Sequence, residues 1–243
     1  MRCCPSQGEE ETNDRTRPPR RDREAVATER VLMREGCVVD TDVLSLHADI
    51  TDQEEHMVRP TYPIITARLR LRPFVPGDLD ALYDIQSRDD VARYLYWGPR
   101  SRDEVHTALS ERERFTTLEV DGDTLLLAID LRASGVLIGD VNLHWLRGPH
   151  RQGEIGYVLH PTYHGQGYGR EAAREVLRLG FEGLGLHRII GRCDARNVAS
   201  ARLMERLGMR REAHFQQNEY VKGEWCDEDI YALLAAEWER RSP

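Results

Sequence analysis

Lysine is nearly missing from this chain: of its 34 basic residues only Lys222 is a lysine. Arginine and lysine are not interchangeable where a function selects one of them, so this uniformity reads as a coding bias. A basic excess is missing too. The 243 residues carry a formal net charge of −8, which argues against a general nucleic-acid binder. No apolar run approaches the roughly 18 residues of a membrane span. The first residues, "MRCCPSQGEEETND", lack the apolar core of a signal peptide. A cytoplasmic protein with no membrane or nucleic-acid partner is therefore expected. Cysteine is scattered: Cys3, Cys4, Cys37, Cys193 and Cys226 form no CxxC and no Cys/His pair at zinc spacing. Free thiols and no metal site follow. No internal repeat is visible.

What is present suffices for one sizeable core, with 40% hydrophobic residues, four Trp, nine Tyr and four Phe. Residues 1–61 stand apart. "EEETNDRTRPPRRDREAVATER" is charged, Pro-containing and nearly free of aromatics, which suggests disorder. This stretch holds 9 Arg against 14 Asp and Glu. It reads as an acidic tail or as a wrongly assigned start, and "CVVDTDVLSLHADI" within it as a short strand or helix. Residues 62–243 form the second part.

From Tyr62 the pattern is regular. "ITARLRLRPF" alternates Leu with Arg, as a half-buried strand does. "PGDLDALYDIQS" reads as a helix, and "SRDEVHTALSERERFTTL" as another that opens on a capping box, Ser101 with Glu104. "DTLLLAIDLR" and "GVLIGDVNLHWL" form a hairpin pair, and "GEIGYVLHP" is the next strand, ended by Pro161. A helix over 168–182 presents Ala173, Val176, Leu177 and Gly180 to a core. "LHRIIGRCD" is a strand, and "NVASARLMERLG" a helix between Asn197 as N-cap and Gly208. Strands near 209–219 and 225–234 follow. This order implies an α/β fold, a mixed sheet with helices on both faces.

"HPTYHGQGYGREAAREVL" holds the main chemical signal. Gly165, Gly167 and Gly169 precede a helix with no Ser, Thr, Asp or Asn to cap it. Such a start is an anion site, because free N–H groups and the helix dipole point the same way. A Walker loop would need Gly-Lys-Ser/Thr, whereas Gly169 is followed by Arg170 and Glu171. A dinucleotide fingerprint would need G-x-G-x-x-G after a first strand, and the spacing here is G-x-G-x-G, late in the chain. A glycine turn without a ligand also fits the loop taken alone.

The surroundings narrow the choice. "EIGYVLHPTYHGQGYGREAAREVL" resembles the acetyl-CoA motif of the GNAT-superfamily N-acetyltransferases, with His164 where that motif has Arg or Gln. "ARNVASARLMERLGMRREAHF" resembles the second motif in its Asn-x-x-Ser form, and "KGEWCDEDIYALLAAEW" the closing strand of the RimJ/RimL-like branch, which includes ribosomal-protein N-terminal acetyltransferases. The likeness runs from about 64 to 238. It implies a GNAT fold with a mixed, mostly antiparallel sheet of about seven strands. Strands four and five, here about 153–160 and 187–194, would splay to admit the pantetheine arm. Gly156 would mark a bulge in strand four. Tyr157, Val158 and Leu159 would bind the arm and the thioester carbonyl through their backbone. His164, Gly165, Gln166, Gly167, Tyr168, Gly169 and Arg170 would hold the pyrophosphate, with Asn197 also at the cofactor. Arg170 and Arg202 are candidates for phosphate contact, with a solvated helix charge the plainer reading of each.

Direct attack by a neutral amine needs a base, an oxyanion site and an acid for the thiolate. Ser200 shares an inward register with Leu203, Met204 and Leu207 and is the candidate acid; Met204 stands where many relatives carry Tyr, which leaves the role to Ser200 or to water. A local role beside the Asn197 cap competes with it. Glu154 and His144 are candidate bases, with Asp140 third. A solvated carboxylate and a packed histidine are the plain alternatives. Tyr94, Tyr96 and Trp97 line an acceptor cleft or simply fill core. The expected activity is acetyl transfer from acetyl-CoA to a primary amine, a protein N-terminus or a small molecule such as an aminoglycoside, by a monomer or homodimer. A catalytically idle acyl-CoA-binding module is the other reading.

Overall fold

The structure, a computed structural model, describes residues 57–147 and 150–240. The tail reading therefore falls outside the described residues up to 56. Val58, just beyond, is buried and exchanges backbone bonds of 2.8 and 2.9 Å with Leu118. Arg59 holds Glu119 through two bonds of 3.0 Å. Residues just before Tyr62 are thus packed against the same domain.

The Leu/Arg alternation makes β2 (Leu69–Arg72), whose leucines are buried. A two-residue strand, β1 (Ile64–Ile65), pairs with it. Its arginines reach acids: Arg70 and Arg72 hold Asp130, and Arg72 holds Asp78 at the foot of the next helix. Three helices follow, α1 (Leu79–Gln86), α2 (Asp89–Ala92) and α3 (Arg102–Arg112). At the start of α3 the expected box is in place: the Ser101 N–H donates to Glu104 at 2.7 Å, and the Glu104 N–H to the Ser101 hydroxyl at 3.4 Å.

Next come β3 (Thr124–Leu131), β4 (Leu137–Arg147), β5 (Gln152–Leu159), α4 (Tyr168–Arg178), β6 (Arg188–Asp194), α5 (Val198–Leu207), β7 (Arg210–Val221), β8 (Glu224–Leu234) and α6 (Ala235–Glu239). Eight strands form one sheet, ordered β1-β2-β3-β4-β5-β6-β8-β7. Every pair is antiparallel except β5 with β6. The eighth strand, against about seven expected, is the short β1. Where the reading had one helix over 168–182, the α-helix ends at Arg178 and one π-helical turn spans Leu179–Gly183. Gly180 in that turn lies against Ile189, and a Cβ there would fall 2.6 Å from its Cδ1.

β3 shows why the sheet is covered on both faces. Its residues Leu125, Leu127 and Ile129 join a cluster with Ala172, Val176 and Leu177 of α4 and Met204 of α5. Leu126 and Ala128, pointing the other way, meet Leu82, Ile85, Val105 and Leu109 of α1 and α3. A strand apolar on both faces has no solvent side to specify, so alternation vanishes from its sequence. The two helical layers thereby fix two sides of one cavity.

Candidate active site

β5 and β6 pair only between 152–154 and 188–190. Beyond them β6 pairs with β8 alone, and β5 with β4 alone. The two strands splay, and a cavity of about 1160 Å³ opens there. Its wall includes Tyr157, Val158, Leu159, the loop 164–170, Asn197 and Ser200, and also Tyr94, Tyr96, Trp97, Asp140, His144 and Glu154. These candidate residues for cofactor and acceptor thus border one space, whereas Arg202 is exposed and not part of that wall.

Backbone parity sorts the β5 residues. The His160 N–H donates to Ile138 on β4 at 2.8 Å, and the register between β4 and β5 runs unbroken from Gly139↔Leu159 to Trp145↔Gly153. Antiparallel ladders alternate the side to which successive residues turn their polar groups. Val158 therefore spends its N–H and C=O on β4, and a Cβ on Gly139 would lie 2.2 Å from the Val158 carbonyl oxygen. Tyr157 and Leu159 turn theirs toward the gap. The expectation for Val158 is corrected accordingly: its backbone is engaged by β4, and its side chain packs with the α1 and α3 cluster beside the cavity. Gly156 is not a bulge either. The register shift lies between Trp145 and Arg147. Gly156 makes room for Asn142, whose Nδ2 would sit 2.8 Å from a Cβ.

The loop after β5 has the predicted open geometry. Gly165 and Gly167 take φ of 73° and 83°, a region that costs other residues strain. Gly167 is the N-cap of α4, and no side chain caps that helix. Among the described residues, the N–H groups of 165–170 meet no backbone or side-chain acceptor; the first to do so is Glu171, which donates to Gly167 at 3.1 Å. The loop's own side chains fold back instead: His164 Nε2 bonds the Leu159 carbonyl at 2.9 Å, and Gln166 Nε2 donates to Thr162 at 3.0 Å. Arg68 braces the far side. It donates to Glu171 at 2.7 Å from its backbone and 2.8 Å from Nε, donates to the Gln166 carbonyl at 2.9 Å, and stacks 4.5 Å over the Tyr168 ring. Arg170 is exposed on the cavity wall.

Across the gap, Asn197 caps α5 by accepting from the Ser200 N–H at 3.1 Å. The Ser200 hydroxyl is not part of that cap. It bonds the Tyr157 hydroxyl, which crosses from β5, at 2.9 Å. Burial raises the Tyr157 phenol and pushes the neighbouring Cys193 thiol up to about 11. Both groups stay protonated near neutrality. The motif alone implies a role only for the Tyr157 backbone. Strand alternation from Ile155, which faces the α4 and α5 layer, was the available signal for its side chain.

On the opposite face, His144 pairs across strands with Glu154 and bonds Thr124 Oγ1 through Nδ1 at 3.0 Å. Glu154 takes two bonds of 3.0 Å from Arg192, an ion pair that sequence spacing could not show. Asp140 is 2% exposed and lies 3.3 Å from Arg112, with Oδ2 otherwise unbonded. Burial raises its carboxyl, while Arg112 and Arg100 oppose the shift. Tyr96 is 65% exposed, and Trp97 lies under the Arg100 guanidinium at 4.5 Å. These aromatics are cavity wall, not core. Lys222, the lone lysine, donates from its Nζ to the carbonyls of Ala92 and Arg93 at 2.7 and 3.0 Å, tying the β7–β8 turn to the aromatic segment.

A splayed parallel pair beside an uncapped helix start is the arrangement the sequence motifs implied, and the comparisons agree. The acetyltransferase (GNAT) domain model matches residues 68–210. The chain is 35% identical over 176 residues to YnaD of Bacillus subtilis (strain 168), an uncharacterized N-acetyltransferase, covering 72% of this chain and 98% of that one. A solved GNAT-family acetyltransferase from Bacillus anthracis is 32% identical with a TM-score of 0.64, covering 72% and 99%. Spermidine N-acetyltransferase of Vibrio cholerae, solved with CoA and spermine, shares the fold at 21% identity and TM-score 0.60, covering 72% and 99%. The chain belongs to the GNAT acetyltransferase family and is an acetyl-CoA-dependent N-acetyltransferase.

Proposed function

We propose that this enzyme acetylates the primary amine of a cationic acceptor by direct attack in a ternary complex. The observation that carries the donor side is the run of N–H groups at 165–170 without acceptors, at the mouth of the gap between β5 and β6. Those groups and the α4 dipole suit a pyrophosphate. Tyr157 and the Leu159 N–H offer the gap a strand edge, to which an extended pantetheine arm adds like a further strand, while the Leu159 carbonyl is held by His164. Asn197 and Arg170 complete the donor wall. Acetyl-CoA supplies the acetyl thioester.

Ser200 is the proton donor toward the sulfur in this reading, and behind it stands the Tyr157 hydroxyl, whose one proton is shared between the Ser200 hydroxyl at 2.9 Å and the Ser200 carbonyl at 3.2 Å. A hydroxyl hydrogen-bonded to a second, buried hydroxyl can donate forward while accepting from behind. The Tyr at 204 that many relatives carry is thereby replaced from another element. Tyr94, Tyr96 and Trp97 form the acceptor wall. Glu154, neutralised by Arg192, holds that arginine at the cleft, and His144 faces the same space. Beside the neutralised Glu154, the wall carboxylates Glu219, Asp227 and Glu228 favour a positively charged amine over an acidic one.

A panel assay of thiol release from acetyl-CoA tests the reading. Peptides beginning with Ser, Ala or Thr, polyamines and aminoglycosides are compared. Turnover is expected with cationic amines and not with acidic ones. Tight acetyl-CoA binding with no turnover across the panel would overturn the cationic acceptor.

A further inference from the structure

Among the carboxylates that border the cavity, Glu154 and Glu228 differ in their surroundings. Glu154 has both oxygens engaged by Arg192 at 3.0 Å. Glu228, on β8, is only 4.0 Å from the same guanidinium. It is 4% exposed yet borders the cavity. Its remaining partners are neutral and come from two other elements. Asn218 Nδ2 donates to Oε2 at 2.8 Å, and the Tyr96 hydroxyl donates to Oε1 at 3.4 Å, a long contact from an exposed ring. Asn218 reaches it because β7 slips register between Phe215 and Glu219; such bulges re-aim side chains beside functional sites. The bulge is itself pinned, the Gln217 N–H donating to Asp227 at 2.8 Å.

We propose that Glu228 is the general base of this enzyme: the acceptor ammonium displaces the Tyr96 hydroxyl from Oε1 and gives its proton to that oxygen. The assignment rests on the acetyltransferase reading above. In the step, R–NH₃⁺ and the Glu228 carboxylate become R–NH₂ and the carboxylic acid. The nitrogen then bonds to the acyl carbon, the carbon–sulfur bond breaks, and the nitrogen loses a second proton. One proton stays on the thiol and one passes to solvent, so charge balances.

The groups facing Glu228 are Arg192 and Asp194 from β6, Glu154 from β5, Asn218 and Glu219 from β7, and Tyr96. Asp194, opposite it in register, is taken by Arg196 at 2.6 Å. Burial raises the Glu228 carboxyl; Arg192 opposes the shift, and Glu219 and Glu154 add to it. A base must be ionised to act, so activity is present above its pKa and lost below it. A raised value also brings a carboxylate closer to the pKa a base needs near neutrality.

The test is kcat/KM against pH, with the best amine of the panel, for wild type, Glu228→Gln and Glu228→Asp. Acetyl-CoA affinity and Tm are measured on the same preparations. Wild type takes the ammonium, so its profile is flat from the Glu228 pKa up to the amine pKa. Glu228→Gln uses only free amine: its kcat/KM is lower by on the order of 10²- to 10⁴-fold at neutral pH and climbs about tenfold per pH unit. Glu228→Asp restores the flat profile at reduced rate, which a purely structural role would not do. A flat Glu228→Gln profile within about twofold of wild type, or a Glu228→Asp profile as steep as that of Glu228→Gln, overturns the assignment. Wild type inert toward every amine would instead overturn the acetyltransferase reading, and the base with it.

Discussion

Three helices of this protein begin in three different ways. α3 closes its own first turn, with Ser101 and Glu104 exchanging bonds. α5 is capped by the Asn197 side chain, yet keeps the Ser200 hydroxyl for a bond across the gap. α4 has no side-chain cap and starts from a left-handed glycine. All helices face the same orphan N–H groups at this end. The difference is therefore one of use. α3 lies away from the splay and spends its N–H groups on stability. α4 lies at the mouth of the splay and keeps them for a ligand. α5 does some of both.

Substitutions at each start should separate these uses. The largest effect is expected at α4. Gly167→Asp sets a carboxylate beside the N–H groups, its Cβ 3.3 Å from Arg68 Nη2, and two like charges about 4 Å apart near a protein surface repel by about 4 kcal/mol, of which Arg68 offsets a part. Acetyl-CoA affinity, measured by calorimetry, should fall on the order of 10³-fold. Gly167→Asn brings the same backbone strain without the charge, so a much smaller loss there isolates the electrostatic part.

An intermediate effect is expected at α5. Ser200→Ala should lower kcat on the order of 10²-fold, with the acetyl-CoA Kd little changed. Tm should also hold, because the cap uses the Ser200 N–H, which alanine retains. A native kcat would remove the hydroxyl from the reaction. At α3 the effect should be smallest on function and confined to stability. Ser101→Ala should cost about 1 kcal/mol, read as a lower Tm with unchanged acetyl-CoA affinity. A change in affinity there would mean that the helix starts are not separate in use.

The donor half of the site was legible because its chemistry is local. Glycines at 165 and 167, the missing cap and Asn197 three residues before Ser200 all sit within single turns of chain. The fold was legible for a related reason: alternation in β2 and the stripe on α4 record which face is buried. What stayed hidden came from distant chain. Arg68 is about a hundred residues from the loop it braces, and Arg192 meets Glu154 only because β5 and β6 are neighbours. Glu228 gained its partners through a register slip that no spacing announces. The sequence pattern also misassigned Val158 and Gly156, since ladder parity and an Asn142 side chain decide their roles.

The central claim is that the N–H groups at the start of α4 are kept for the donor. Amide hydrogen exchange with and without acetyl-CoA reads them directly. The account predicts slower exchange at residues 165–170 on adding acetyl-CoA, with residues 102–104 at the start of α3 unchanged. Equal exchange at 165–170 in both conditions, under saturating acetyl-CoA, would contradict it.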